Sequence, residues 1–208
     1  MTDTLDTIAT EVRECRACPL WRTARQGVPG EGSAESGILF LGEAPGFNED
    51  QQGRPFVGAA GQLLDELLAG VGLDRSRVFI TNVVRHRPPD NRDPLPAEIA
   101  ACDAWTAKQL ATLRPRVVVT LGRFAMAKWL PGESITRIHG KPHVVRSSQG
   151  DPDGVTVFPM FHPAAALRSP SLRPAMVADF ASLAIFLATG PAAHADAPKP
   201  ADQMTLFG

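Results

Sequence analysis

Residues 38–46 read Ile38-Leu39-Phe40-Leu41-Gly42-Glu43-Ala44-Pro45-Gly46: four apolar residues in an unbroken run, stopped by a turn of glycine and proline. An unbroken apolar run of this length suits a strand covered on both faces, as in a parallel sheet. The rest of the chain repeats the pattern. Val78-Phe79-Ile80 is a second strand, ending at Thr81-Asn82. Val117-Val118-Val119-Thr120-Leu121 is a third, stopped by Gly122, and 155–161 is a fourth, ending in His162-Pro163. Helical spacing lies between them. It covers 58–71 (Leu63, Leu64, Leu67 and Leu68), 96–113, a short segment near 123–130, and 174–187. A further helix spans 2–14, where Leu5, Ile8 and Val12 share a face. This alternation predicts an α/β fold: a three-layer α/β/α sandwich with a central four-stranded parallel sheet.

The 208 residues are expected to form one domain, 1–190, followed by a disordered tail, 191–208, rich in alanine and proline. A hydrophobic content of 44% is enough for a core, and a net charge of −1 excludes a globally basic nucleic-acid binder without excluding local basic patches. No apolar run approaches membrane-spanning length, and the polar start Met1-Thr2-Asp3-Thr4-Leu5-Asp6 is not a signal peptide. Three cysteines without a secretion signal argue against a disulfide framework. A cytoplasmic monomer that does not engage a membrane is expected.

All three cysteines fall in one candidate metal set. Cys15 and Cys18 form a C-x-x-C, Cys102 lies in the 96–113 helix, and His86 stands in Asn82-Val83-Val84-Arg85-His86-Arg87-Pro88-Pro89. Soft thiolates with one imidazole suit zinc or an iron–sulfur cluster. The plainer alternative is a pair of buried thiols and a loose third.

Polar residues gather where a parallel sheet places its ligands, beyond the carboxyl ends of the strands. The first strand delivers Gly42 to Gly46, the second Asn82, the fourth His162. Taken singly, each has an ordinary structural reading. Together they define a candidate site, and the glycine turn lets backbone N–H groups approach a ligand.

These residues carry a resemblance. Gly42-Glu43-Ala44-Pro45-Gly46, Gly53-Arg54-Pro55-Phe56-Val57-Gly58 and Gly61-Gln62-Leu63-Leu64-Asp65 resemble the first motif region of family 4 uracil-DNA glycosylases. Thr81-Asn82-Val83-Val84, Arg87-Pro88-Pro89, Asn91-Arg92, Thr120-Leu121-Gly122 and Phe161-His162-Pro163-Ala164 continue the match in order. The resemblance implies hydrolysis of the N-glycosidic bond of deoxyuridine in single- or double-stranded DNA. It also implies a pocket in which Gly42 and Ala44 line the base, Phe56 stacks on it, Asn82 reads its amide edge and His162 donates to O2. Family 1 relatives carry an Asp where this chain has Ala44, so Glu43 is expected to position water, with Glu49 second; a solvated acidic loop is the plain alternative for Glu49 and Asp50.

The same resemblance implies a [4Fe-4S] cluster on Cys15, Cys18, Cys102 and His86. His86 stands where the usual member has cysteine, as in the uracil-trapping branch. Structural zinc in a Cys3His site and a labile three-cysteine cluster are the alternatives. Arg54, Arg85, Arg87, Arg92, Lys141 and Arg168 are candidate phosphate contacts, some of them ordinary surface charge. Leu167 or Arg168 is the candidate wedge, because Ala166 is small. Arg137-Ile138-His139 matches the trapping tripeptide but lies after the third strand, so His139 reads as a loop residue near DNA. Gln203-Met204-Thr205-Leu206-Phe207 resembles the pentapeptide that docks on the bacterial sliding clamp, with Gln203 as polar anchor and Leu206 and Phe207 as apolar plugs. Two other readings are a binding protein that recognises or traps uracil with little turnover, and an unrelated α/β hydrolase.

Overall fold

The computed structural model describes residues 4–33, 35–145 and 154–190. The tail and its terminal pentapeptide, and with them the expectations of disorder and clamp docking, lie outside the described residues. The elements run α1 (Leu5–Arg13), β1 (Glu31–Gly32), β2 (Ile38–Gly42), α2 (Phe47–Gln52), α3 (Ala59–Gly70), β3 (Phe79–Asn82), α4 (Pro96–Leu113), β4 (Val117–Leu121), α5 (Arg123–Ala127), α6 (Ile135–Ile138), β5 (His143–Val145), β6 (Val155–Met160), α7 (Pro163–Arg168) and α8 (Arg173–Thr189).

The sheet has six strands in the order β1-β3-β2-β4-β6-β5, not the four expected. The inner four are parallel and are the strands read from the sequence. The two edge strands pair antiparallel. With two and three residues, β1 and β5 are too short to print a period in the sequence. The same holds for α2, α6 and α7, of six, four and six residues, which the sequence leaves as loops.

The alternation along each inner strand explains the three layers. Ile38 and Phe40 of β2, with Val117 and Val119 of β4 and Phe158 of β6, face Leu63, Leu64, Leu67 and Leu68 of α3 and Met176, Phe180, Leu183 and Phe186 of α8. Leu39 of β2 and Val118 of β4 face the other way, with Leu113 of α4. Leu41 packs there too, beside Cys18, Val83, Val84 and Cys102. Each strand residue is thus covered whichever way it points, and the run reads as continuous rather than alternating. Pro170–Thr189 is long and apolar enough by composition to cross a membrane, contrary to the reading that no run qualifies. Here its buried stripe is what packs α8 on the sheet.

From β2 the chain steps outward to β3, then returns to the opposite side at β4 and continues to β6. The order therefore reverses between β2 and β4, which opens a crevice at their carboxyl ends.

Candidate active site

A cleft of about 630 Å3 occupies that crevice, lined by residues that follow all four inner strands. Glu43 to Gly46 come from the turn after β2, Asn82 from the end of β3, Gly122 and Arg123 from the β4–α5 junction, and Phe161 and His162 from the β6–α7 junction. Phe56 forms one wall.

Phe56 sits in the left-handed region at φ 50°, an unfavourable conformation for a bulky side chain that surrounding contacts must impose. Three of them are visible. Glu49, near the start of α2, is buried; its Oε1 accepts from the backbone N–H groups of Val57 and Gly58, both at 2.8 Å, and its Oε2 from that of Gly46 at 3.0 Å. A Cβ on Gly61 would stand 1.8 Å from the Phe56 carbonyl oxygen. A Cβ on Gly42 would meet the Phe56 ring at 2.5 Å and Asn82 Oδ1 at 2.4 Å. Glycine at 42 and 61 is therefore a packing requirement, and Glu49 ties the turn after β2 to the segment that carries Phe56. Both oxygens of Glu49 thus brace the cleft wall, which Glu49 also lines, and neither it nor Asp50 lies in a solvated loop. Asp50 is buried too, its Oδ1 accepting from the Arg25 backbone N–H at 2.8 Å.

Asn82 is 1% exposed, and its Oδ1 has no hydrogen-bond partner in the protein. Buried polar atoms are almost always paired, so an orphaned acceptor lining a cleft marks a place for a donor on a ligand. His162 caps the start of α7: its Nδ1 accepts from the Ala164 N–H at 3.2 Å, which leaves Nε2 as the protonated nitrogen of the neutral ring. Withdrawal from water, with added repulsion from Arg168, holds this imidazole down to about 4. Its ring stacks on Phe56.

Glu43 lines the cleft with its carboxyl raised above the usual range by burial and then by Asp93, while Arg123 and Arg168 oppose the shift. Asp93 and Arg123, which form an ion pair at the mouth, were not singled out from the sequence. The motif ending at Gly122 points to Arg123, but nothing in the local sequence marks Asp93.

The candidate phosphate contacts separate sharply. Arg168 is exposed and lines the cleft, and Lys141 is exposed. Arg87 lies over the exposed Phe47 ring, 5.3 Å from its centroid, and its Nε donates to Asn91 Oδ1. Arg54 is paired with Glu31, and Arg92 grips the Glu98 carboxylate through both terminal nitrogens, at 2.9 and 2.6 Å. Arg85 is fully buried and is no surface contact. The segment after His162 is helix α7, not a loop; on it Ala166 is buried and Leu167 is 49% exposed, so only Leu167 offers an apolar wedge.

His139 lies in the turn after α6, as expected of a loop residue, and its side chain is engaged inside the protein. Its Nδ1 lies 2.9 Å from both oxygens of the buried Asp179, and its ring packs 4.4 Å from Phe161.

Cys18 and Cys102 are buried in one cluster with Leu20, Leu41, Val83 and Val84. Cys15 lies within electrostatic reach of both, and the Trp105 indole N–H donates to Cys15 Sγ at 3.2 Å. Burial pushes the Cys102 thiol up to about 11. His86, 4% exposed, lines a concavity with Cys15, and burial lowers its imidazole, keeping it in the neutral form that ligates. Among the described residues, no group of three or more His, Cys, Asp or Glu side chains is arranged to hold a metal ion.

A model of the uracil DNA glycosylase superfamily matches residues 29–183, the stretch that builds the cleft. The curated relatives narrow this further. A type-4 uracil-DNA glycosylase of Sulfurisphaera tokodaii is 46% identical over 185 residues, covering 86% of this chain and 82% of the relative. Those of Saccharolobus solfataricus and Archaeoglobus fulgidus are 43% and 45% identical, covering 91% and 86% of this chain and 89% and 90% of the relatives. The chain belongs to the type-4 uracil-DNA glycosylases of that superfamily.

Proposed function

We propose that this protein is a DNA repair glycosylase that takes uracil out of the stack and hydrolyses its N-glycosidic bond, leaving an abasic site. The observation that carries the reading is the buried Asn82 amide with its unpartnered Oδ1, in one cleft with Phe56 and the neutral His162. Extruding a base costs a few kcal/mol, less where it is mispaired or single-stranded. Phe56 receives the flipped ring. Asn82 Oδ1 accepts from N3–H of uracil and its amide N–H donates to O4; cytosine presents the reverse at both atoms and leaves a buried amide unpaired. Gly42 and Ala44 close the pocket edge. As the bond breaks, negative charge grows on the leaving base, and a fixed His162 Nε2–H aimed at O2 stabilises it without His162 being protonated. Glu43 positions the water. Arg168, Arg87 and Lys141 hold phosphates, and Leu167 fills the gap in a duplex.

Cys15, Cys18, Cys102 and His86 are the residues that would hold a [4Fe-4S] cluster. When bound, it would tie α1 and α4 to the segment after β3, at a potential raised by the neutral imidazole. Three thiolates and one imidazole also suit structural zinc, and iron and zinc analysis of the purified protein distinguishes the two. The unit 1–190 carries the chemistry, and Gln203, Leu206 and Phe207 would dock the tail on a sliding clamp, raising the local concentration at replicating DNA. Deleting 203–208 then abolishes clamp binding and spares base release from a short oligonucleotide; unchanged clamp affinity defeats that part.

The deciding experiment is release of uracil from a uracil-containing oligonucleotide by wild type, Asn82→Ala and His162→Ala, with products also run on denaturing protein gels. Free uracil and an abasic strand, lost in both variants, are expected. No base release by wild type, or a denaturation-resistant protein–DNA adduct in its place, overturns the reading.

A further inference from the structure

Among the described residues Arg85 is the largest fully buried side chain, and it is charged. Its Nη2 donates to Thr106 Oγ1 at 3.2 Å and Gln109 Oε1 at 2.7 Å. Its Nε and Nη1 have no partner. Among the described residues no carboxylate pairs with it. The one carboxylate whose charge reaches it, Asp103, is already paired with Lys128. The other two groups within electrostatic reach are Cys102 and Cys15.

A guanidinium taken out of water without an anion beside it is among the costlier arrangements a fold can hold. Neutral thiols do not offset that cost, whereas thiolates bound to a metal group do. The surroundings hold the charge at the cysteines rather than letting it reach solvent. Cys102, Thr106 and Gln109 recur along one face of α4, so the helix that presents the thiol also grips the cation. Gln109 is fixed in turn, its Nε2 donating to the Pro29 carbonyl at 2.6 Å.

We infer that Arg85 is the built-in counter-charge of the thiolate-bound metal group on Cys15, Cys18 and Cys102, a positioning residue that stabilises the group and sets its potential. This rests on the cluster reading above. Net charge and hydrogen bonds to sulfur are levers by which a protein tunes such a centre, and a buried cation favours the more negative, reduced state.

The test compares metal-loaded wild type, Arg85→Lys and Arg85→Gln, purified without oxygen. The readouts are metal bound per chain, the midpoint potential of the cluster, and thermal unfolding before and after the metal is stripped. Glutamine removes the charge and lysine keeps it, so a shared packing defect cancels between them. Expected is a midpoint potential more negative for Arg85→Gln than for Arg85→Lys, with lysine nearer wild type. The loss of Tm on replacing lysine by glutamine should be larger in loaded than in stripped protein. Equal potentials in the two variants, with that Tm difference unchanged by stripping, overturn the inference alone. A wild-type protein that binds no iron overturns the cluster reading and this inference with it. An Arg85→Gln protein that folds only while loaded loses more without the metal than with it, the reverse of what a counter-charge to the metal group requires, and overturns the inference.

Discussion

The rings of Phe56 and His162 stack 5.5 Å apart with their planes 27° from parallel. One comes from the segment before α3, the other from the junction after β6. The aromatic wall of the cleft and the imidazole are therefore fixed by one another.

Gly42→Ala tests how tightly that wall is set. The new methyl would stand 2.5 Å from the Phe56 ring and 2.4 Å from Asn82 Oδ1, in a place where neither can retreat. Misplacing a reacting group by about 1 Å costs on the order of 100-fold. We expect kcat/KM for uracil release to fall by about that factor or more. Wild-type turnover in this variant would mean the pocket is not built around this contact.

Glu49→Gln removes the charge that three backbone N–H groups converge on. It also places an amide N–H against at least one of those donors. Leaving buried donors unpaired costs about 1–3 kcal/mol. A lower Tm is expected together with reduced kcat/KM, because Phe56 loses its bracket. A stable variant with unchanged kinetics would show that the left-handed Phe56 backbone does not need it.

Replacing Asn82 with Asp keeps an acceptor for N3–H but sets a carboxylate oxygen against O4. A site built on hydrogen bonds rejects a mismatched partner by about 10⁴ or more. Loss of uracil release by several orders of magnitude is expected, together with a lower Tm near neutral pH, because the side chain is 1% exposed and a buried carboxylate has no cation beside it. The check is single-turnover kinetics alongside a melting curve.

The pH dependence has two parts with different owners. His162 titrates near 4 in the folded protein against about 6.5 when exposed, so between those values the unfolded chain binds a proton the folded one refuses. Stability is therefore expected to fall as pH is lowered through that window. Glu43, raised by burial and by Asp93, takes up its proton at a higher pH than an exposed carboxyl does. The acid limb of kcat/KM should lie above the ordinary Glu range, and Glu43→Gln should remove it while lowering kcat by about 10²–10⁴. An unshifted acid limb in Glu43→Gln would assign the limb to another group.

Leu167 is half exposed on α7 while Ala166 beside it is buried. Leu167→Ala should slow release from duplex DNA and leave single-stranded substrate nearly untouched, since only a duplex has a gap to fill. Equal loss on both substrates would remove the wedge role.

Much of this was legible in the chain. The four inner strands read directly because each buries both faces, and the glycine turn, Asn82 and His162 stand where such strands end. The order of the strands was not legible, since hydrogen-bond partners lie far apart in sequence. Nor were the short edge strands or the small helices α2, α6 and α7, whose conformation is set by neighbours more than by their own composition. Glu49 shows the limit well. Its sequence context reads as an acidic loop, and only three converging N–H groups reveal a bracket. Arg85 shows it again, passing for a phosphate contact until its burial is seen.

The sequence by itself determined the layers, the parallel core and the residue types at each strand end, because burial on both faces and turn chemistry leave marks on neighbouring residues. Only the tertiary structure decided which polar groups are spent and which are free. Glu49, Arg54, Arg92 and His139 are taken by partners distant in the chain, while Asn82 Oδ1 and two nitrogens of Arg85 are left without any. Hydrogen-bond satisfaction depends on what folding brings within about 3 Å, and no local pattern of residues records it.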